Sequence, residues 1–219
     1  MQTKLLTLTL FWLCVTFSAQ GQTSSDGFLI SEIPDSVWQR MQGRSYHANP
    51  HIQRSDLRYV RVLHWDYDEQ THRGELVCNR LIAVKLLHIF RELYAAHYPI
   101  QKIRLADDYE ADDERQMRDN NTSCFCYRNV PDTKKLSYHA RGLAIDINTL
   151  YNPYVRYRKD GSTIVQPATG KPYVDRKKSY RYKIVEGDLC HRLFREQGFI
   201  WGGSWRTMKD YQHFEFHPQ

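Results

Sequence analysis

Ser137-Tyr138-His139-Ala140-Arg141-Gly142-Leu143-Ala144-Ile145-Asp146-Ile147-Asn148 is the stretch on which the fold turns. Its second half, Leu143–Asn148, alternates strictly. That predicts a strand with Leu143, Ile145 and Ile147 on one face and Ala144, Asp146 and Asn148 on the other. A carboxylate among buried apolar neighbours is costly unless a cation or hydrogen-bond donors satisfy it. Gly142 permits a sharp turn just upstream, so His139 and Asp146 can converge on one point. Near the C-terminus, His213–His217 alternates in the same way: His213, Glu215 and His217 to one side, Phe214 and Phe216 to the other, with Asp210 shortly before. Two histidines and a carboxylate can make a catalytic metal site with a fourth position for water, and a second carboxylate near that water can act as general base. The same spacing also suits histidines in hydrogen-bonded strands, so spacing alone leaves both readings open.

Outward from these stretches, Leu57–Tyr67 alternates as a strand, with Val60, Val62 and His64 on one side. Glu75–His97 reads as the clearest helix: Leu76, Leu81, Val84, Leu87, Phe90 and Tyr94 recur at helical steps, and Pro99 follows the end. Asp188–Gln197 reads as a second helix, with Asp188 as its cap and Gly198 as its stop. Ile103–Leu105 and Phe199–Trp201 are short strand candidates. Asp107–Asn121 is a charged loop or short helix, and Tyr151–Lys178 a long surface loop or ragged hairpin. Residues 22–73 read as an N-terminal arm packed on a main domain of residues 74–219. Helices and strands mix without a regular βαβ rhythm, so the expected class is α+β, with a small antiparallel sheet flanked by helices.

The chain has 219 residues, 41% hydrophobic and 26% charged, which is too apolar for a disordered chain and large enough to bury a core without disulfides or a structural metal. Its net charge of +6 and its 15 tyrosines admit a nucleic acid, an anionic polymer or a small substrate as partner. Arg176-Lys177-Lys178, near several tyrosines, is the one run that invites a nucleic-acid reading.

The first residues argue against that reading. Lys4 precedes an apolar run, Leu5–Phe17, and Ala19-Gln20-Gly21 supplies small residues for cleavage, so residues 1–21 read as a signal peptide. The run is shorter than the ~20 residues a membrane span needs, so no stable span is expected after removal. Cys14 follows Leu13, which is bulkier than the residue a lipoprotein signal places there. The expected location is the periplasm or the cell exterior, where nucleic acid is not the expected partner and a basic surface suits anionic wall polymers. Cys78, Cys124, Cys126 and Cys190 then sit in an oxidising compartment, either as buried thiols or with at least one disulfide involving Cys124 or Cys126.

Ser-x-His-x-x-Gly-x-Ala-x-Asp from Ser137, followed by Trp201-Gly202-Gly203-Ser204-Trp205 and Asp210-Tyr211-Gln212-His213-Phe214, resembles the VanY-type zinc peptidases of bacterial cell walls and phage lysins. The resemblance runs from about Asn120 to Phe216. It implies the Hedgehog/DD-peptidase fold, one zinc ion held by His139, Asp146 and His213, and Asp210 as general base. It also implies a substrate-binding or catalytic Arg128, and Ser137 orienting a ligand or the substrate. The implied substrates are peptidoglycan stem peptides, cut as a D-alanyl-D-alanine carboxypeptidase or an L-alanyl-D-glutamate endopeptidase. The rival reading is a non-enzymatic, zinc-containing wall-binding module, against which the presence of Asp210 counts.

Overall fold

β1 (Leu29–Ser31) pairs antiparallel with β2 (Leu57–Trp65), and β2 with β3 (Thr71–Asn79), in the computed structural model of the chain, which describes residues 26–131 and 133–218. The expected signal segment, residues 1–21, lies outside the described residues. The β2–β3 ladder runs from Leu57 opposite Asn79 to Trp65 opposite Thr71. Val60, Val62, Leu76 and Cys78 point into the main core, while Leu57 and Val77 join a smaller cluster that α1 (Asp35–Met41) closes with Val37 and Met41. With both faces covered, the paired ends of β2 and β3 are well buried.

This pairing corrects the expected helix Glu75–His97. Glu75–Asn79 are strand, and α2 spans Arg80–Ala95 with Asn79 as its cap, the Asn79 side chain accepting from the Leu81 amide at 3.1 Å. The buried stripe of α2 is also not the expected one. Ile82, Ala83, Leu86, Ile89, Phe90 and Leu93 face the core, whereas Leu81 and Val84 are exposed. Of the residues read as the apolar face, Phe90 is the one fully inside the helix's buried stripe. The boundary expected between residues 73 and 74 falls inside β3, and the two strands before it build the sheet on which α2 packs.

Beyond α2 come β4 (Lys102–Ile103), α3 (Asp113–Arg118) and β5 (Asn121–Thr122), with β4 and β5 paired in parallel. β6 (Ala144–Asp146) is followed by the hairpin β7 (Tyr154–Tyr157) and β8 (Thr163–Gln166). Then follow α4 (Leu189–Glu196), β9 (Phe199–Trp201), β10 (Lys209–Asp210) and β11 (His213–Phe216). α4 is capped as the sequence implies: the Asp188 carboxylate accepts from the His191 amide at 2.7 Å, and Gly198 takes a left-handed φ of 88°.

β11 is the central strand of a second antiparallel sheet, between β6 and β9, and β7 is central to a third, between β8 and β10. The architecture is therefore α+β, with three small antiparallel sheets among the described residues where one was expected. Phe194 of α4 stacks on Phe214 of β11 at 4.3 Å between ring centres, and both are fully buried in the core shared with α2. The Phe214 side of β11 is thus anchored, which leaves its opposite side for polar residues.

Of the two readings of the cysteines, the buried thiols hold. Cys78, Cys124, Cys126 and Cys190 are all buried free thiols, so no disulfide involves Cys124 or Cys126. Burial in an apolar environment pushes their pKa values up, that of Cys126 to about 12. Arg176, from the basic run, is not a solvated cation. It donates to the Tyr151 and Ile184 carbonyls and to Asn152, and its guanidinium lies 4.2 Å from the Tyr211 ring centre. It bolts the 151–184 loop to the chain just ahead of His213. No helix of the described residues is long and apolar enough to cross a membrane.

Candidate metal centre

Antiparallel pairing places Asp146 of β6 directly opposite His213 of β11. His139 reaches the same point from a 3-10 turn, His139–Arg141, that Gly142 ends with φ of 65°. A Cβ on Gly142 would lie 2.6 Å from the Asn79 backbone nitrogen, so both the left-handed turn and the close approach of β3 require glycine here. One ligand atom from each of His139, Asp146 and His213 lies within 4.8 Å of the others. His139 Nε2 is 3.2 Å from Asp146 Oδ2, and His213 Nδ1 is 3.0 Å from Asp146 Oδ1. The alternation read from the sequence thus brings the three residues together.

The ring atoms facing away from this point are already engaged. His139 Nδ1 donates to the Cys124 carbonyl at 2.6 Å, which leaves Nε2 with a lone pair for a metal. His213 Nε2 lies 3.1 Å from Glu215 Oε2. Ser137 Oγ accepts from the His139 amide at 3.2 Å and so ties down the turn that presents the ligand. The sequence placed Glu215 on the His213 side of β11 without giving it a role; the period-two alternation was the available signal. The Cys124 carbonyl had no signal at all, because a backbone acceptor is invisible in side-chain patterns.

The electrostatics of the three side chains favour a positive charge between them. Burial opposes the charge on Asp146, yet His139 and His213 hold its carboxyl far below the usual carboxylate range. Burial also works against a His213 cation, but hydrogen bonds to Asp146 and Glu215 outweigh it and push the imidazole up to about 10. A divalent metal held here would supply the same positive charge, and its binding would release that proton.

Asp210 stands on β10, which pairs with β7 through Tyr154. Its Oδ1 is buried without a hydrogen-bond partner, and desolvation pushes its pKa up to about 6, with Asp146 also raising it. Gly202 makes this placement possible: a Cβ there would lie 2.6 Å from the Asp210 carbonyl oxygen and 3.3 Å from the His213 Cβ. The glycine pair after Trp201 therefore lets β9, Asp210 and His213 close on one another.

Arg128 is largely buried. Its Nε lies 2.7 Å from Asp113 Oδ2, an ion pair whose alignment leaves the Nε–H without a hydrogen bond. Burial disfavours the guanidinium charge, but Asp113 and Asp146 more than restore it.

These residues fit a resident metal. Two imidazoles and a carboxylate are a donor set for zinc with a position left open, and each imidazole has its second nitrogen held. Buried polar atoms are normally paired, and Asp210 Oδ1 here is not, as expected beside a site that receives a ligand.

Among curated proteins and among solved structures, nothing matches the chain. One family model does, described as D-alanyl-D-alanine carboxypeptidase, and it covers residues 131–216. That span holds His139, Asp146, Asp210 and His213 but begins after Arg128. The segment that carries His139, Asp146, Asp210 and His213 is thus similar to the VanY-like D-alanyl-D-alanine carboxypeptidase family.

Proposed function

We propose that the protein is a zinc-dependent peptidase of the Hedgehog/DD-peptidase fold that hydrolyses peptide bonds in the stem peptides of bacterial peptidoglycan. The observation that carries this reading is the convergence of His139, Asp146 and His213 beside Asp210, whose Oδ1 is buried without a hydrogen-bond partner, all within the family-matching segment. His139 Nε2, His213 Nδ1 and an Asp146 oxygen would hold the zinc. When bound, zinc supplies a water acidic enough to attack at neutral pH and polarises the scissile carbonyl.

The chain's own groups do the rest. Asp210 Oδ1 accepts the proton of the attacking water and returns it to the leaving amine. A carboxyl titrating near 6 suits both halves of that transfer near neutral pH. Arg128, kept charged and oriented by Asp113, faces negative charge on the substrate or on the developing oxyanion. A module that only bound zinc or wall polymer would have no use for a carboxylate with one oxygen buried and unpartnered, which is costly to keep. That favours the enzyme over the binding module.

The matched family's description names the D-alanyl-D-alanine bond, and the sequence resemblance adds the L-alanyl-D-glutamate bond as a second target. Digestion of purified muropeptides with weighing of the products tests the proposal. Loss of one alanine identifies a D-alanyl-D-alanine carboxypeptidase, and release of the stem beyond L-alanine identifies an L-alanyl-D-glutamate endopeptidase. No cleavage by zinc-loaded protein overturns the peptidase reading. We also propose that residues 1–21 direct export and that the mature chain begins near Gln22; an intact Met1 on native protein would refute this.

A further inference from the structure

We propose that Glu215 is a positioning residue that fixes the ring of His213 with its proton on Nε2, and that His217 and Tyr138 brace Glu215 in that role. The inference deepens the metal reading above and rests on it.

Both oxygens of Glu215 are committed. Oε2 lies 3.1 Å from His213 Nε2, and Oε1 lies 2.8 Å from His217 Nε2. The carboxylate is close to buried, with 13% of its side chain exposed. With one Glu215 oxygen against each imidazole, both oxygens serve as acceptors, so His213 donates from Nε2 and Nδ1 is left to face Asp146 and His139.

The strand register explains how a carboxylate comes to sit there. His213 and Glu215 share one side of β11. The residue opposite Glu215 on β6 is Ala144, which offers no side chain beyond its Cβ to compete for the space. On the outer side, the His217 ring stacks on Tyr138, with ring centres 4.7 Å apart and planes 6° from parallel. Tyr138 immediately precedes His139, and its carbonyl accepts from the Arg141 and Leu143 amides, closing the turn that carries the first ligand. A continuous chain of contacts thus runs from His213 through Glu215, His217 and Tyr138 to the turn of His139.

The two ligand histidines are therefore held differently. His139 donates to a neutral backbone carbonyl, whereas His213 donates to an anion, which makes its other nitrogen the more basic donor to a metal. Removing such a partner commonly weakens metal binding by about 10- to 100-fold.

The experiment measures zinc affinity of the full chain by competition with a chromogenic chelator, in wild type, Glu215→Ala, Glu215→Gln and His217→Ala. It also assigns the protonated nitrogen of His213 in the zinc-loaded wild type by 15N NMR. We expect about 10- to 100-fold weaker zinc binding in Glu215→Ala, a smaller loss in Glu215→Gln, which keeps an acceptor oxygen without the charge, the smallest loss in His217→Ala, and the proton on Nε2 in wild type. Equal affinity in wild type, Glu215→Ala and Glu215→Gln overturns the inference, as does a proton on Nδ1. If Glu215→Ala does not unfold cooperatively, the near-isosteric Glu215→Gln and the wild-type spectrum decide. A wild type that binds no zinc overturns the metal reading and this inference with it. A chain that shows the expected affinities but cuts no stem peptide contradicts only the peptidase reading.

Discussion

Replacing Asp210 with asparagine should damage catalysis and stabilise the protein at the same time. The substitution is nearly isosteric and removes the charge from a buried carboxylate whose Oδ1 has no partner. Loss of a general base commonly costs on the order of 10²–10⁴ in rate, or about 3–5 kcal/mol of barrier, so turnover on a stem peptide should fall by that factor. Stability should move the other way. The Asp210 pKa stands at about 6 in the fold against an ordinary 3.8. Because it is raised, the folded state holds this proton more tightly than the unfolded chain. Its contribution is therefore favourable at low pH, declines as pH rises from about 4 to 6, and stays unfavourable above. At 1.36 kcal/mol per pKa unit the difference is about 3 kcal/mol.

Metal-free Asp210→Asn should accordingly outlast metal-free wild type in urea at pH 7.5 by up to about 3 kcal/mol, and by little at pH 4. Denaturant titrations at both pH values, zinc content and turnover are the assays, with Asp146→Asn as the comparison. Asp146→Asn removes an anionic ligand and should lose zinc as well as activity. Normal turnover by Asp210→Asn would refute the base assignment. Loss of zinc by Asp210→Asn would mean that the two carboxylates have exchanged roles. Equal stability at pH 7.5 would refute the desolvation argument.

Gly202→Ala should destabilise the fold by about 1–3 kcal/mol, since its Cβ would meet the Asp210 backbone at 2.6 Å, and should cut turnover on the order of 10²-fold by displacing the base; thermal unfolding and turnover check it, and a fully active, fully stable variant would contradict the packing argument. The four described cysteines should react slowly with a thiol reagent in native protein and completely after denaturation without reductant, because all are buried with raised pKa values. Fewer than four thiols after denaturation would mean that a disulfide exists.

Local pattern carried a great deal of this protein. The alternation of Leu143–Asn148 and of His213–Phe216 was enough to put Asp146 and His213 on definite sides of their strands, because the side-chain period of a strand is fixed by the backbone. The Asp188 cap and the Gly198 stop of α4 are likewise local chemistry. The resemblance around Ser137–Asp146 and Trp201–Phe214 added what pattern could not, namely which of several histidines and acids belong together.

Tertiary structure decided the rest, for reasons that lie outside any window of sequence. Glu75–Asn79 became strand because a nine-residue ladder with β2 satisfies its backbone and buries Leu76, Val77 and Cys78 on two faces, which a helical turn there could not do. The exposed Leu81 and Val84 show the same effect in α2: apolar steps suited two faces, and the position of the sheet chose Ile82, Leu86 and Ile89. The hold of the Cys124 carbonyl on His139, and of Glu215 on His213, depends on ring nitrogens brought within about 3 Å of acceptors by the packing of strands and turns. Sequence determined which groups are available for the chemistry; only the register of β6 against β11, and the closeness that Gly142 and Gly202 permit, made them into one site.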